Sequence, residues 1–401
     1  VMKIKKYNLR LIVCAVCIFH VLFVKINYSY FQDYRRIRLY MLLLSGILLF
    51  QVVKVLLEKK WGIVNLLTVL FSASIIYSSY YNRGFESSNI QTSFILGFGI
   101  FELFWLLEYA KKMKAVDTVL RVWWICILIY CALSDILWIM NPHVYGQADT
   151  FLIGNKFQIC YMHIWLLILY FNFEKKKRAL IVVLFLLNII VAINASCTTA
   201  LIGCISLGIL LKFRMKLETV IRNPATLAIS LAFFNSILMV NSALTANPTV
   251  RYIIVNILGK DPTLTGRVGI YAKALMAIKN SLLWGYGYEN NYTASVRYIG
   301  AANIQNGILD LVMSYGVIGT ILLIGLLLYL IYQKGNETSY IVISALYMYV
   351  LISSVEIVFD GWFFACVALV AFWSDNNIGS DYRINNEEAV TNQWETMQQK
   401  V

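Results

Sequence analysis

Twelve apolar runs separated by short polar interruptions make up most of the chain, near 9–24, 39–57, 61–81, 94–110, 119–140, 159–173, 179–195, 198–212, 225–245, 307–332, 340–355 and 359–373. An α-helix rises 1.5 Å per residue, so crossing the hydrocarbon of a bilayer takes about 20 apolar residues. The runs are close to that length and lack the period-two alternation of half-buried strands, which predicts membrane-spanning helices. All four prolines (Pro142, Pro224, Pro248, Pro262) fall between runs, where the missing backbone donor costs no helical hydrogen bond. The seventh and eighth runs are separated only by Ser196-Cys197-Thr198-Thr199, and the last two also fit a re-entrant pair. The pattern predicts an all-α fold: a polytopic transmembrane helix bundle of about twelve spans. The first run lacks a small-residue cleavage site, which reads against a cleaved signal peptide.

Composition strengthens this reading. Of 401 residues, 60% are hydrophobic and 14% charged, against about 25% charged in a soluble globular protein, and the mean hydropathy is +0.70. A soluble enzyme, a nucleic-acid-binding domain and a secreted disulfide scaffold are excluded. The eight cysteines lie inside or at the edge of apolar runs, where a thiol behaves as a small hydrophobe. Cys14 and Cys17 have a metal-knuckle spacing but no second pair follows.

The net charge of +13 is concentrated in short clusters between runs, an orientation signal. Lys3, Lys5, Lys6 and Arg10 precede the first run and place the N-terminus in the cytoplasm. Alternate connections carry Lys59-Lys60, Lys111-Lys112-Lys114, Lys175–Arg178 and Lys212-Arg214-Lys216. One outer connection breaks the rule with Lys25, Arg35, Arg36 and Arg38; it either meets an anionic ligand or tolerates its charge. The expected organisation is an N-terminal transmembrane bundle over 1–245 (about nine spans), a large external loop with amphipathic helices over 246–305, C-terminal spans over 306–373 and a disordered cytoplasmic tail over 374–401.

The 246–305 connection is where chemistry concentrates. It is too long for an ordinary connector, and it is rich in Ile, Leu, Tyr and Trp. It carries Arg251, Lys260, Arg267, Lys273, Lys279 and Arg297 against only Asp261 and Glu289. External positive charge fits either a snorkelling amphipathic helix at lipid headgroups or a site for a diphosphate. Thr265-Gly266-Arg267 opens a run to Asn280 that reads as a helix, with Thr265 as cap and Val268, Tyr271, Leu275, Ile278 and Leu282 as one apolar face. At about 100° per residue, Lys273 and Lys279 point away from Arg267. Arg267 sits in the first turn, where free N–H groups and the helix dipole favour an anion and a guanidinium adds a bidentate phosphate clamp.

Asn303, Asn306, Asp310 and Ser314 then recur at spacings of three and four, a polar stripe on an otherwise apolar helix. Such a stripe makes either a hydrogen-bonded seam or the lining of a substrate cavity. Glu102 lies mid-run and calls for a partner, His163 reads as a satisfied interior histidine, and Arg83 and Lys156 can join a cationic mouth. No Walker loop, His-Glu-x-x-His, Gly-x-Ser-x-Gly or Asp-x-Asp is present. No metal ligands and no cofactor are expected, so a diphosphate would be neutralised by Arg and Lys.

Three stretches carry a resemblance. Leu264-Thr265-Gly266-Arg267-Val268, continued through Ile278-Lys279-Asn280 to Leu283-Trp284-Gly285-Tyr286-Gly287, is similar to a "TGR … NPLLGYG" signature. Asn306-Gly307-Ile308-Leu309-Asp310-Leu311 to Tyr315-Gly316-Val317-Ile318-Gly319 is similar to "HNxxLdll…GiiG", and Gly154-Asn155-Lys156-Phe157 is a looser match. Together they resemble the Wzy-type polysaccharide polymerase and O-antigen ligase superfamily, best over residues 260–320. Two positions depart from it: Gln305 stands where many members have His, and Ser196-Cys197-Thr198-Thr199-Ala200 lacks the Arg of a Ser-Arg-(Thr/Ser)-Ala run.

The resemblance implies a GT-C-like membrane glycosyltransferase of the bacterial cytoplasmic (inner) membrane. Such an enzyme polymerises polyprenyl-diphosphate-linked oligosaccharide repeat units into O-antigen or capsule on the outer face, without metal. Arg267 would stabilise the leaving diphosphate, with Arg251, Lys279 and Lys156 as further cations. Asp310 or Glu289 would serve as base, with Gln305 and Asn306 positioning the acceptor. Flippase and chain-length regulator proteins are the implied partners, with membrane lipid and no nucleic acid. A lipid-linked oligosaccharide flippase or exporter, or a ligase transferring finished glycan, are the alternatives.

Overall fold

The computed structural model describes residues 6–26, 34–57, 62–84, 90–140, 152–173, 177–237, 267–288 and 290–374, with 248, 252 and 256 besides. Among them are fifteen helices: α1 (Lys6–Leu22), α2 (Tyr34–Leu57), α3 (Ile63–Tyr81), α4 (Ile90–Lys112), α5 (Val116–Met140), α6 (Lys156–Tyr170), α7 (Arg178–Asn194), α8 (Thr198–Lys212), α9 (Arg214–Ile221), α10 (Pro224–Ile237), α11 (Arg267–Asn280), α12 (Asn290–Ile299), α13 (Gly307–Lys334), α14 (Tyr340–Ile352) and α15 (Gly361–Phe372). The only β pairing among the described residues is two isolated bridges, Ile26 with Ile153 and Thr338 with Ser374. Each of the twelve apolar runs carries a helix. Of these, α3, α4, α5 and α13 are long and apolar enough to cross a membrane; most of the others are shorter and equally apolar.

The interior is built from helices apolar on every side. All twelve residues of α15 are buried, as is nearly all of α14 and α6. A helix without a polar face belongs in a core. At its centre Phe23, just past α1, stacks on Trp362 of α15 at 4.6 Å, and Trp165 of α6 stacks on the same indole at 5.6 Å. The outer helices do the reverse. On α3, Ile63, Leu66, Leu70, Ala73, Tyr77 and Tyr80 follow one another at spacings of three and four and are all exposed, a continuous apolar stripe facing away from the protein. Water would penalise such a stripe, whereas lipid accommodates it.

The connections sort into two ends. At one, Arg222 donates to the carbonyls of Gly335 and Thr338, Lys111 Nζ donates to Ala371 O (3.2 Å) and Ser339 N to Trp373 O (3.0 Å). At the other, Ile26 pairs with Ile153, Gln158 Nε2 donates to Asp360 Oδ2 (3.2 Å), and Asn82 Nδ2 donates to Gly285 O (2.9 Å). Successive apolar helices therefore run up and down between two faces.

Some expectations change. The run 307–332 is no single straight helix, because Gly316 breaks it with φ 67° and ψ −176°. The run 340–355 stops short, with α14 ending at Ile352; Ser353 and Ser354 turn their hydroxyls back onto the carbonyls of Val350 and Leu351 (both 2.7 Å). The break between α7 and α8 is real. Ser196 adopts a left-handed φ of 49°, and Cys197 N reaches back to Ala192 O at 2.8 Å, closing α7 in the manner usually left to glycine. All eight cysteines are free.

Candidate functional site

The kink at Gly316 organises the site. The backbone groups that α13 gives up there are taken by the turn that follows α11. Tyr286 N donates to Met313 O (2.7 Å) and Gly287 N to Ser314 O (2.9 Å). In return Val317 N donates to Leu282 O (2.9 Å) and Ile318 N to Leu283 O (3.3 Å). Only glycine permits so close an approach: a Cβ on Gly316 would stand 2.1 Å from Leu283 O, and one on Gly285 would stand 2.6 Å from Gly316 N. Ser78 of α3 donates to the carbonyls of both Trp284 and Ser314, locking the turn and the kink onto a long helix. The two stretches 282–287 and 313–319 are thus one structural unit.

Above the kink, the N-terminal end of α13 is stitched to α10, α11 and α14. Asn306 caps α13, its side chain accepting from Leu309 N (3.0 Å). Its amide donates to Asn235 O (3.3 Å) and Ser354 O (3.4 Å), and Gly307 N donates to Ser353 O (2.7 Å). Asn235 Nδ2 donates to Ser353 Oγ (3.0 Å). Tyr271 of α11 donates its hydroxyl to Gln305 O (3.1 Å), and Gln305 is held at a left-handed φ of 54°. One turn into α13, Asp310 Oδ1 accepts from Asn291 Nδ2 of α12 (3.1 Å), and Glu356, just past α14, lies within electrostatic reach of the Asp310 carboxyl. The result is a half-buried carboxylate at a helix start, oriented by an amide, with Ser314 Oγ one turn below it buried without a hydrogen-bond partner. Chemically, it can orient and deprotonate a hydroxyl.

The predicted residues divide accordingly. Gln305, Asn306 and Asp310 come together. The expected stripe is corrected: Asn303 precedes the helix and Asn306 caps it, leaving Asp310 and Ser314 on the helix itself. Arg267 opens α11, but its side chain, Thr265, Arg251 and Glu289 lie outside the described residues. Lys279 does not join the cluster; it lies on the exposed side of α11. Lys156 instead donates to Ser196 O at the α7–α8 break (3.3 Å). The single apolar face expected for α11 is also corrected. Tyr271 and Ile278 are buried, with Ala274 and Ala277, while Leu275 and Leu282 are exposed. The side that packs is the one carrying Tyr271, Ala274, Ala277 and Ile278, where α11 meets α12 and α13.

Asn235, Tyr271, Asn291, Ser353 and Ser354 were not singled out by sequence. Asn235 and the Ser353-Ser354 pair had a signal, as polar residues inside or at the end of apolar runs. Tyr271 was disguised as an apolar-face residue. Elsewhere, Glu102 accepts from Ser45 Oγ of α2 (2.5 Å), above Gly46, where a Cβ would meet its Oε1 at 2.8 Å. His163 is an interior histidine with both nitrogens engaged, Nδ1 on Ile159 O (2.9 Å) and Nε2 on Asp135 Oδ2 (3.3 Å). No family model, curated protein or solved structure matches the chain.

Proposed function

We propose that the chain is a Wzy-type polymerase: a GT-C-like bundle of twelve spans in the bacterial cytoplasmic membrane, with both termini in the cytoplasm. It would join polyprenyl-diphosphate-linked oligosaccharide repeat units into surface polysaccharide on the outer face. The observation that supports this reading most is the union of the two signature-like stretches. Residues 282–287 and 313–319 exchange four backbone hydrogen bonds, and the same unit presents Asp310, with its Asn291 partner, beside Gln305 and Asn306.

In this reading Asp310 takes the proton from an acceptor sugar hydroxyl as that oxygen attacks the anomeric carbon of the donor chain. The glycosidic bond forms, the bond from that carbon to the diphosphate breaks, and polyprenyl diphosphate leaves with the electron pair. Charge that builds on the diphosphate is met by Arg267, with Arg251 in support; preorganised cations at a leaving group are the economical solution where no metal is used. Gln305 faces the acceptor as a hydrogen-bonding group, since it takes no proton at neutral pH. Asn306, fully buried with its amide spent on the α13 cap and on Asn235 O and Ser354 O, holds the helix start in place instead of touching the acceptor.

The test is removal of the gene followed by sizing of the surface glycan. Loss of long chains with single-repeat material retained is expected, whereas accumulation of lipid-linked units on the cytoplasmic side identifies a flippase instead. Purified protein given lipid-linked repeat units should elongate them in EDTA. Arg267→Ala should remove detectable polymer at matched protein level, since truncating a charge paired with a buried anion costs about 2–5 kcal/mol, and Arg267→Lys should restore part of it.

A further inference from the structure

The apolar stripe of α3 does not stop at the end of that helix. Tyr77 packs its ring against Trp284 at 4.4 Å and stacks on Tyr81 at 6.3 Å. Trp284 belongs to the turn that fills the kink, and the preceding Leu282 and Leu283 are 48% and 58% exposed. Beyond them, on the outward side of α11, Met276 is 67% exposed and Leu275 is exposed as well. The sequence places α11 in an external loop, yet it buries Ala274 and Ala277 and turns Leu275 and Met276 outward. Water does not favour that choice; an interfacial helix makes it routinely.

Two cations edge this surface. The Arg83 guanidinium lies 4.5 Å over the Tyr80 ring, and Lys279 is exposed on α11 one turn from Met276 and Leu275. Tyrosine and tryptophan at the end of a spanning helix mark the headgroup level of a bilayer. Arginine and lysine just beyond them meet phosphate there.

We propose that the end of α3, the Leu282–Trp284 turn and the outward side of α11 form one bilayer-facing sill that seats a phospholipid of the surrounding leaflet, its chains against Leu282, Leu283 and Met276 and its anionic headgroup between Arg83 and Lys279. This does not depend on the proposed reaction and requires only that the bundle stand in lipid.

The test uses the full chain in nanodiscs. Leu283→Cys and, separately, Met276→Cys are labelled with bimane. The wild type sets the background, its cysteines being buried except half-buried Cys126. Brominated phosphatidylcholine should quench both labels as strongly as a label at Leu70 on the α3 stripe, and aqueous iodide should quench them weakly. Strong iodide quenching with no bromine effect at both positions would show a water-facing helix and overturn the sill. Native mass spectrometry of protein from discs containing equal phosphatidylcholine and phosphatidylglycerol then reads the headgroup. The wild type should retain phosphatidylglycerol preferentially, and Arg83→Ala/Lys279→Ala should lose that preference while remaining folded. Equal retention by the wild type and the double variant overturns the headgroup site.

Discussion

Among the described residues there are two hydrophobic cores, and they differ in what they hold. The large one, centred on α6, α14 and α15, is mainly a contact of whole side chains: Phe19, Phe23, Trp123, Trp165 and Trp362 are all but inaccessible, and the Trp123 and Trp165 indoles also donate to Ala15 O (3.0 Å) and the Tyr349 hydroxyl (2.7 Å). The small one gathers Tyr271, Ala274, Ala277, Ile278, Tyr286, Ala294, Ile299, Ile304, Leu309 and Met313 where α11 and α12 meet α13. Three of its ten members are alanines, and hydrogen bonds add to the packing in fixing its position. Asn291 reaches Asp310, Lys273 reaches Ile299 O (3.3 Å), and Tyr286 OH reaches Ala277 O (2.8 Å). Packing alone secures a fold with little directionality, whereas directional bonds hold a reactive group in place. The large core therefore carries stability and the small one carries geometry.

Substitutions should separate the two. The largest loss is expected for Trp362→Ala, which empties the stack against Phe23 and Trp165. Removing a buried Trp typically costs about 3–5 kcal/mol, read as a fall in melting temperature or absent protein in detergent. Gly316→Ala comes next. Its backbone occupies a region essentially reserved for glycine, worth about 1–3 kcal/mol, and the new methyl meets Leu283 O. The melt should fall and protease should cut near 282–287, while Gly325→Ala, with open space around it, should melt at or above wild type.

Arg222→Ala probes the basic end, where the guanidinium ties Glu218 to Gly335 and Thr338. Losing hydrogen bonds from a charged donor costs about 1.5–3 kcal/mol, and product length should not change. Asp310→Asn should leave the melt nearly unchanged, since an amide oxygen still accepts from Asn291, yet abolish product. Normal chains from that variant would remove Asp310 as base and make the small core purely structural.

The smallest effect is on pH. Arg214, and then Arg222, hold the Glu218 carboxyl below its ordinary value of 4.5. The folded state binds that proton less readily than the unfolded one. The stabilisation is therefore complete above the ordinary value and fades as pH falls through the depressed one. Melting temperature should drop slightly more steeply below about pH 4 in the wild type than in Glu218→Gln.

The sequence was most legible where one physical demand dominated. Apolar run length located twelve helices, and the Arg267-to-Asn280 pattern matches α11. It was least legible where two distant segments complete each other. Nothing in the run 307–332 shows that its hydrogen-bond ladder is interrupted, because the missing partners lie in 282–287. Gly285 and Gly316 were read as parts of two motifs, and their common purpose, mutual backbone approach, exists only in three dimensions. Lys279 shows the same limit from the other side. Its charge counted toward a site, but its direction depended on which side of α11 packs, and that side is the one of Tyr271 and Ile278, not of Leu275.

The contacts of Ser78 also set a schedule for biosynthesis. Its hydroxyl is completed by carbonyls 206 and 236 residues further along the chain. When α3 leaves the ribosome, those residues have not been made. A hydroxyl in hydrocarbon can be parked on a carbonyl of its own helix, but the freed carbonyls and amides at Gly316 have no such shelter in α13 and need the turn already beside them. Synthesis order supplies it, since 282–287 emerge before 316. A circular permutant that made α13 first would have to insert a broken helix with nothing to mend it, and we expect it to be degraded.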